Sequence, residues 1–186
     1  LYLCRHGETD LNKLNVLQGS GVDAPLNDTG REQAQRLGNR FRSQPVDWLI
    51  SSDLRRAKET AGAIQCHHPA VKFTTYPGLS EICWGIWEGR SCPKLDELID
   101  KWNEGDFSAC LEGGESPLHV ENRIIEPFVS IIEQANGLDH VVIVVHGRLL
   151  RIILSSLIEG NLGWMGQYTH RNTCVNQIQV YRRCDL

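Results

Sequence analysis

Val141-Val142-Ile143-Val144-Val145, followed at once by His146-Gly147-Arg148, decides the fold. Five consecutive β-branched residues form a strand with no polar face, so it is covered on both sides, as strands of a parallel sheet are. Residues 149–158 then carry apolar side chains at helical spacing. Strand, polar turn and helix in that order are half of a βαβ unit. Working outward, residues 174–181 read as a last strand. Residues 117–135 read as a helix with a break or kink at Pro127, where a backbone hydrogen bond is lost.

The pattern recurs toward the start of the chain. The apolar run Leu1-Tyr2-Leu3-Cys4 ends abruptly at Arg5-His6-Gly7, a short buried strand entering a long polar loop over residues 7–28. Thr29-Gly30-Arg31-Glu32 has capping-box spacing, and Ala34, Leu37 and Phe41 place a helix over 30–43. Trp48-Leu49-Ile50-Ser51 reads as a second strand. Ser52 or Asp53 can cap the next helix, whose apolar positions are Leu54, Ala57, Ala61 and Ile64. Residues 71–76 alternate as a third strand, and the irregular stretch 79–115 holds one helix over 93–102.

Alternating strands and helices imply an α/β fold, a three-layer sandwich with a mostly parallel central sheet flanked by helices. Residues 1–186 form a single catalytic domain on this reading, since no linker, repeat or low-complexity segment interrupts them. The strand C-terminal ends share one edge, where such folds bind ligands. Arg5 and His6 arrive there from the first strand, Arg55 and Arg56 from just past the second, and His146 from the central one. Topology alone therefore predicts an anion pocket with two histidines and at least two arginines.

Composition excludes other classes. Hydrophobic residues make up 41% and charged residues 23%, within the globular range, and the net charge of -4 supports neither nucleic acid nor an anionic membrane as partner. No apolar stretch reaches transmembrane length, and no signal-peptide pattern is visible, although the chain opens inside a strand, so an upstream targeting segment stays open. Seven cysteines form no CxxC pair, which suggests neither zinc site nor disulfide framework and fits a reducing, cytoplasmic compartment.

Arginine forks bind phosphoryl oxygens, and a neutral imidazole can attack phosphorus when its other nitrogen is held in a fixed tautomer. A carboxylic acid at the pocket mouth would protonate the leaving oxygen. With arginines and helix N-termini stabilising charge, neither metal nor cofactor is needed.

Arg5-His6-Gly7-Glu8-Thr9 resembles the signature of the histidine phosphatase superfamily, also called phosphoglycerate-mutase-like. Further similar blocks follow in order: Asn12, Gln18-Gly19, Asp23-Ala24-Pro25-Leu26 and Gly30; Ser51-Ser52-Asp53-Leu54-Arg55-Arg56-Ala57 with Thr60; Leu79-Ser80-Glu81 with Gly85 and Trp87-Glu88-Gly89; His146-Gly147 with Arg151. The resemblance implies His6 as phospho-accepting nucleophile, Arg5, Arg56 and His146 as holders of the phosphoryl oxygens, and Glu81 as proton donor. It favours Arg56 over Arg55, because the clamping arginine of the family precedes the alanine. Asn12, Gln18, Gly19, Gly147, Arg148 and Cys174 match positions near the substrate. Leu11 and Ser20-Gly21-Val22 depart from the family pattern, as does Arg148, which either adds a second positive contact or turns to solvent.

Bland alternatives compete at several positions. His67, His68, His119, His140 and His170 read as surface or satisfied core histidines. Glu8 and Glu88 rival Glu81 for the acid role, Trp84 and Trp87 serve a satellite core as readily as a pocket wall, and Cys4 and Cys174 read as inert thiols. A phosphomonoesterase acting on a small phosphorylated metabolite is the favoured function, because residues 90–115 offer only Arg90, Lys94 and Lys101 where mutases carry more substrate-gripping bases. A phosphoglycerate mutase or fructose-bisphosphate phosphatase is the runner-up, and a non-catalytic phospho-ligand-binding relative the third reading. The substrate is not legible, and oligomeric state is left open with a homodimer among the options.

Overall fold

The structure, a computed structural model, describes residues 1–181. Strands β1 (Tyr2–Arg5), β2 (Trp48–Ser52), β3 (Lys72–Tyr76), β4 (Val141–Val145) and β5 (Val175–Gln177) form one sheet in the order β3-β2-β4-β1-β5. All neighbours pair in parallel except β5, which runs antiparallel to β1. The helices are α1 (Asp10–Lys13), α2 (Asp28–Phe41), α3 (Arg55–Gln65), α4 (Leu95–Asn103), α5 (Pro117–Gln134) and α6 (Gly147–Leu157).

β4 sits at the centre, flanked by β2 and β1, and all five of its residues are buried. Alternate side chains serve opposite cores: Val142 and Val144 pack with Leu37 and Phe41 of α2 and Ala57, Ala61 and Ile64 of α3. Val141, Ile143 and Val145 face α5 and α6, with Ile124, Phe128, Leu150 and Ile153 among their neighbours. Each such aliphatic side chain contributes about 1.5–3 kcal/mol on burial. The helices that follow β1 and β4 thus leave for opposite faces, although the strands are adjacent. Their diverging connections open a crevice between the two strand ends, the usual ligand position in open α/β sheets.

Several local details differ from the sequence reading. The cap of α2 is Asn27, whose side chain accepts from the Gly30 amide at 2.8 Å, so the helix starts at Asp28 ahead of the Thr29 box. No side chain caps α3 from its N-cap Leu54. Ser52 Oγ accepts the Leu54 amide, and Asp23 reaches across from the first loop to accept the Arg55 amide at 2.5 Å. α5 runs unbroken through Pro127, because its buried stripe of Val120, Ile124, Phe128 and Ile131 continues on both sides and outweighs one lost bond. The last strand is three residues long, and a short helix, α1, sits in the first loop, capped by Thr9 in a box with Asn12. Six cysteines among the described residues are free, and Cys184 lies outside them. Among the described residues no helix is long and apolar enough to cross a membrane.

Candidate active site

A cavity of about 190 Å³ opens at the ends of β1 and β4. His6 lies just past β1, where its amide continues the sheet ladder by donating to the Val145 carbonyl at 2.9 Å. His146 lies at the matching position after β4, and the two ring centroids are 5.2 Å apart. Both rings are buried, as is Arg56, which enters from the first turn of α3.

The hydrogen bonds assign each ring a tautomer. His6 Nδ1 lies 2.6 Å from the Gly7 carbonyl, which can only accept, so Nδ1 carries the hydrogen and Nε2 keeps a bare lone pair. Arg56 Nε donates to His146 Nδ1 at 3.3 Å, so the His146 hydrogen sits on Nε2, which is buried without a partner among the described residues. Burial, with the charges of Arg56 and Arg5, holds the His6 pKa well below the usual histidine value. His146 is lowered likewise by burial, Arg56, His6 and Arg5. Both rings are therefore neutral at neutral pH, one offering a lone pair and the other an N–H.

Arg56 spends its remaining groups on the loop before it: Nη1 donates to the Val22 carbonyl at 2.8 Å and Nη2 to the Gly19 carbonyl at 2.7 Å. Arg5 Nη1 donates to the His170 carbonyl at 2.7 Å, while its buried Nε has no partner among the described residues. Arg5 lies against Gly147, where an added Cβ would stand 3.1 Å from Arg5 Nε. Arg55 turns outward and pairs with Glu59 at 2.6 Å.

Glu81 is the acid that lines the cavity. Its carboxylate accepts the Leu149 amide at 2.9 Å and the Arg148 amide at 3.1 Å, fixing it at the N-terminus of α6, and also its neighbour Ile82 at 3.1 Å. Glu8 bonds Asn27 instead. Glu88 accepts the Ser20 and Trp84 amides beneath the Gly19 and Gly21 backbone, so close that any Cβ there would collide with its carboxylate. Both rivals are thus engaged in holding loops.

Of the remaining sequence candidates, Asn12, Gln18, Gly19, Gly147 and Arg148 line the cavity. Asn12 is held against Asn172, which also donates to the His6 carbonyl at 3.0 Å. Cys174 does not line it: its carbonyl accepts the Arg5 amide at 3.2 Å in the strand-edge pairing, which turns the residue into a support for Arg5. Burial raises the thiol pKa of Cys4 and of Cys174. Arg148 takes neither of its two expected positions alone, since its guanidinium stacks 5.1 Å from the Trp102 ring centroid and 5.9 Å from that of Trp84 while facing the cavity. Trp84 is both satellite core and cavity wall.

Three residues were given no place at the site by the sequence reading: Arg151 was quoted only within the last family block, His170 only as a bland histidine, and Arg123 not at all. Arg151 also lines the cavity, and its i, i+4 spacing from Gly147 was the available signal. His170, read as a bland histidine, lines it too, 7% exposed and stacked on Tyr168. Arg123 donates to the Ser80 and Glu81 carbonyls at 2.9 and 3.1 Å and pairs with Glu115 at 2.7 Å, fixing the backbone that carries Glu81. Among the described residues no group of three or more His, Cys, Asp or Glu is arranged to hold a metal.

Residues 1–184 match the family model of the histidine phosphatase superfamily, branch 1. The chain belongs to that superfamily. A broad-specificity phosphatase of Saccharomyces cerevisiae is 33% identical over 162 residues, 84% of this chain and 69% of the relative. A probable phosphoglycerate mutase of Salmonella choleraesuis is 32% identical over 178 residues, 94% of this chain and 81% of the relative. Among solved structures, the alpha-ribazole phosphatase of Shigella flexneri superposes with a TM-score of 0.80 at 26% identity, covering 94% of this chain and 87% of that one. A mycobacterial glucosyl-3-phosphoglycerate phosphatase complexed with VO3 gives 0.80 at 26% identity, covering 93% and 87%. Its relatives in that superfamily thus include both phosphatases and a probable phosphoglycerate mutase.

Proposed function

We propose that this protein is a phosphomonoesterase that hydrolyses a small phosphorylated metabolite through a phosphohistidine on His6. The observation that carries the reading is the His6 Nδ1 to Gly7 carbonyl contact of 2.6 Å, which leaves Nε2 unprotonated inside a cluster of positive charge. The lone pair of Nε2 attacks phosphorus as the bond to the leaving oxygen breaks, and protonated Glu81 gives its proton to that oxygen. His146 Nε2–H and Arg5 Nε–H, both unpartnered, donate to the phosphoryl oxygens, with Arg56 supplying further charge. The Gly7 carbonyl meanwhile stabilises the cationic phosphorylated ring. Water then attacks phosphorus, Glu81 takes its proton, the P–N bond breaks, and inorganic phosphate leaves a neutral His6.

No metal or cofactor takes part in this scheme, so activity is expected to survive chelators. The test of the intermediate is acid-labile phosphate on the quenched protein: wild type should carry it during turnover and His6→Ala should not. Its absence from wild type, or its persistence in His6→Ala, refutes the mechanism.

The mutase relative at 32% identity keeps a second reading in view. Hydrolysis is favoured because Arg90, Lys94 and Lys101 are all exposed and none of them lines the cavity. Inorganic phosphate release measured against isomerisation of phosphoglycerate separates the two.

A further inference from the structure

Beyond the phosphoryl-binding cluster, the cavity contains two more arginines, one turn apart on α6. Arg148 and Arg151 both line it, and among the described residues neither guanidinium forms an ion pair or donates a hydrogen bond. That is uncommon for partly buried arginines, which carry five donors each. Arg148 is moreover held in place, its flat face stacked on Trp102 and near Trp84, which are themselves stacked 6.2 Å apart. Stacking covers the faces of the guanidinium and leaves its N–H edge for a ligand.

Charge balance points the same way. Four arginines and one carboxylate, Glu81, line the cavity. With Glu81 carrying the proton it gives to the leaving oxygen, a phosphate monoester dianion neutralises two of the four positive charges, and does so at the histidine end. Among the described residues Glu81 is the acidic group that acts on Arg148 and Arg151, and it is shared with Arg5 and Arg56. Asp23 and Glu88 act on Arg56 instead. The charge left over therefore lies on the α6 side, on Arg148 and Arg151, beside the Glu81 carboxyl group that the proposed reaction sets against the leaving oxygen.

We infer that Arg148 and Arg151 form a second anion subsite, so that preferred substrates are phosphomonoesters whose leaving alcohol itself carries a carboxylate or a second phosphate. The inference rests on the phosphatase reading of the same cavity. It makes Arg148 and Arg151 specificity residues, while attack and proton transfer stay with His6 and Glu81.

Two matched pairs of probes test it. Phosphoglycolate and 2-hydroxyethyl phosphate differ by a carboxylate in place of a hydroxymethyl group. The bisphosphate of 1,3-propanediol and 3-hydroxypropyl phosphate differ by a second phosphate. Wild type should favour the member with two anionic groups in at least one pair by about tenfold or more in kcat/KM, the scale of a charge-assisted contact, and the pair that shows it identifies carboxylate or phosphate as the second group. The preference should fall threefold or more in Arg148→Gln and in Arg151→Gln, and be partly kept in the lysine variants. Because the readout is a ratio within one variant, loss of folded protein cancels. Ratios near one in wild type, or ratios unchanged in both glutamine variants, overturn the subsite. Turnover of the probes with one anionic group in that case leaves the phosphatase reading standing, whereas no phosphate release from any probe and no phosphoenzyme removes both.

Discussion

Gly147→Ala separates activity from stability in one methyl group. Gly147 opens α6 without a left-handed backbone, so alanine fits the chain there and, as a better helix former, adds up to about 1 kcal/mol of stability. The new Cβ, however, stands 3.1 Å from Arg5 Nε, 3.2 Å from Cζ and 3.6 Å from Cδ. Ordinary contact begins near 3.5 Å, so the guanidinium must retreat by about 0.4 Å. It cannot swing freely, because Nη1 is tied to the His170 carbonyl at 2.7 Å. Misplacing a catalytic group by 1 Å costs about a hundredfold in rate. A shift of 0.4 Å then corresponds to roughly a fivefold to tenfold loss of kcat/KM, about 1–1.4 kcal/mol of transition-state stabilisation. Steady-state phosphate release and a thermal melt on the same preparation measure both halves. The expected result is reduced kcat/KM at an unchanged or higher Tm. Full activity in the alanine variant would refute the placement of Arg5 on the phosphoryl group, and a lowered Tm would refute the relaxed backbone at this position.

His146→Asn removes the unpartnered Nε2–H and should lower kcat by about 10²–10³, the scale of one oxyanion donor, with the phosphoenzyme still detectable in a quenched sample. A drop below tenfold would remove His146 from the transition state. Stability should depend on pH through both buried rings. Their folded pKa values lie below 6.5, so as pH falls past 6.5 the unfolded chain takes up protons that the folded chain refuses. Stability should decline by roughly 1.4 kcal/mol per pH unit per histidine until the folded values are reached. Denaturant midpoints between pH 7 and 5 give the slope, and stability that rises on acidification contradicts the neutral assignment. Glu88→Ala frees the Ser20 and Trp84 amides and should raise KM more than it lowers kcat, at a cost in stability of about 1–3 kcal/mol. An unchanged KM would show that the loop over residues 18–21 holds its shape without the carboxylate.

How much of this was readable beforehand depended on the range of the interaction responsible. The β4 strand was legible to the residue, because an unbroken β-branched run has one physical solution. His6, Arg56 and His146 were legible as neighbours because the two histidines sit directly after strands and Arg56 in the first helical turn past one, and a parallel sheet gathers such positions on one edge. Helix starts were less so: Thr29 had the right chemistry, yet Asn27 two residues earlier took the cap, and α3 borrowed Asp23 from 32 residues away. Arg123 and His170 lay beyond reach altogether. Their importance comes from carbonyls and cavity walls supplied by distant segments, Ser80 and Glu81 for one and Arg5 for the other. Residue type and local spacing carry no trace of those partners.

The sheet order also sets when the site can come into being. β1, which delivers His6, pairs only with β4 and β5, so its partners lie some 140 and 170 residues further along the chain. During synthesis the histidine emerges some 140 residues ahead of β4 and must wait for it, while β2, α3 and β3 can already pair among themselves. Closing so long a loop is slow relative to local steps. Recovery of phosphate release should therefore coincide with the last phase of refolding, and circular permutation that brings 141–181 ahead of residue 1 should shorten the wait without altering the finished pocket.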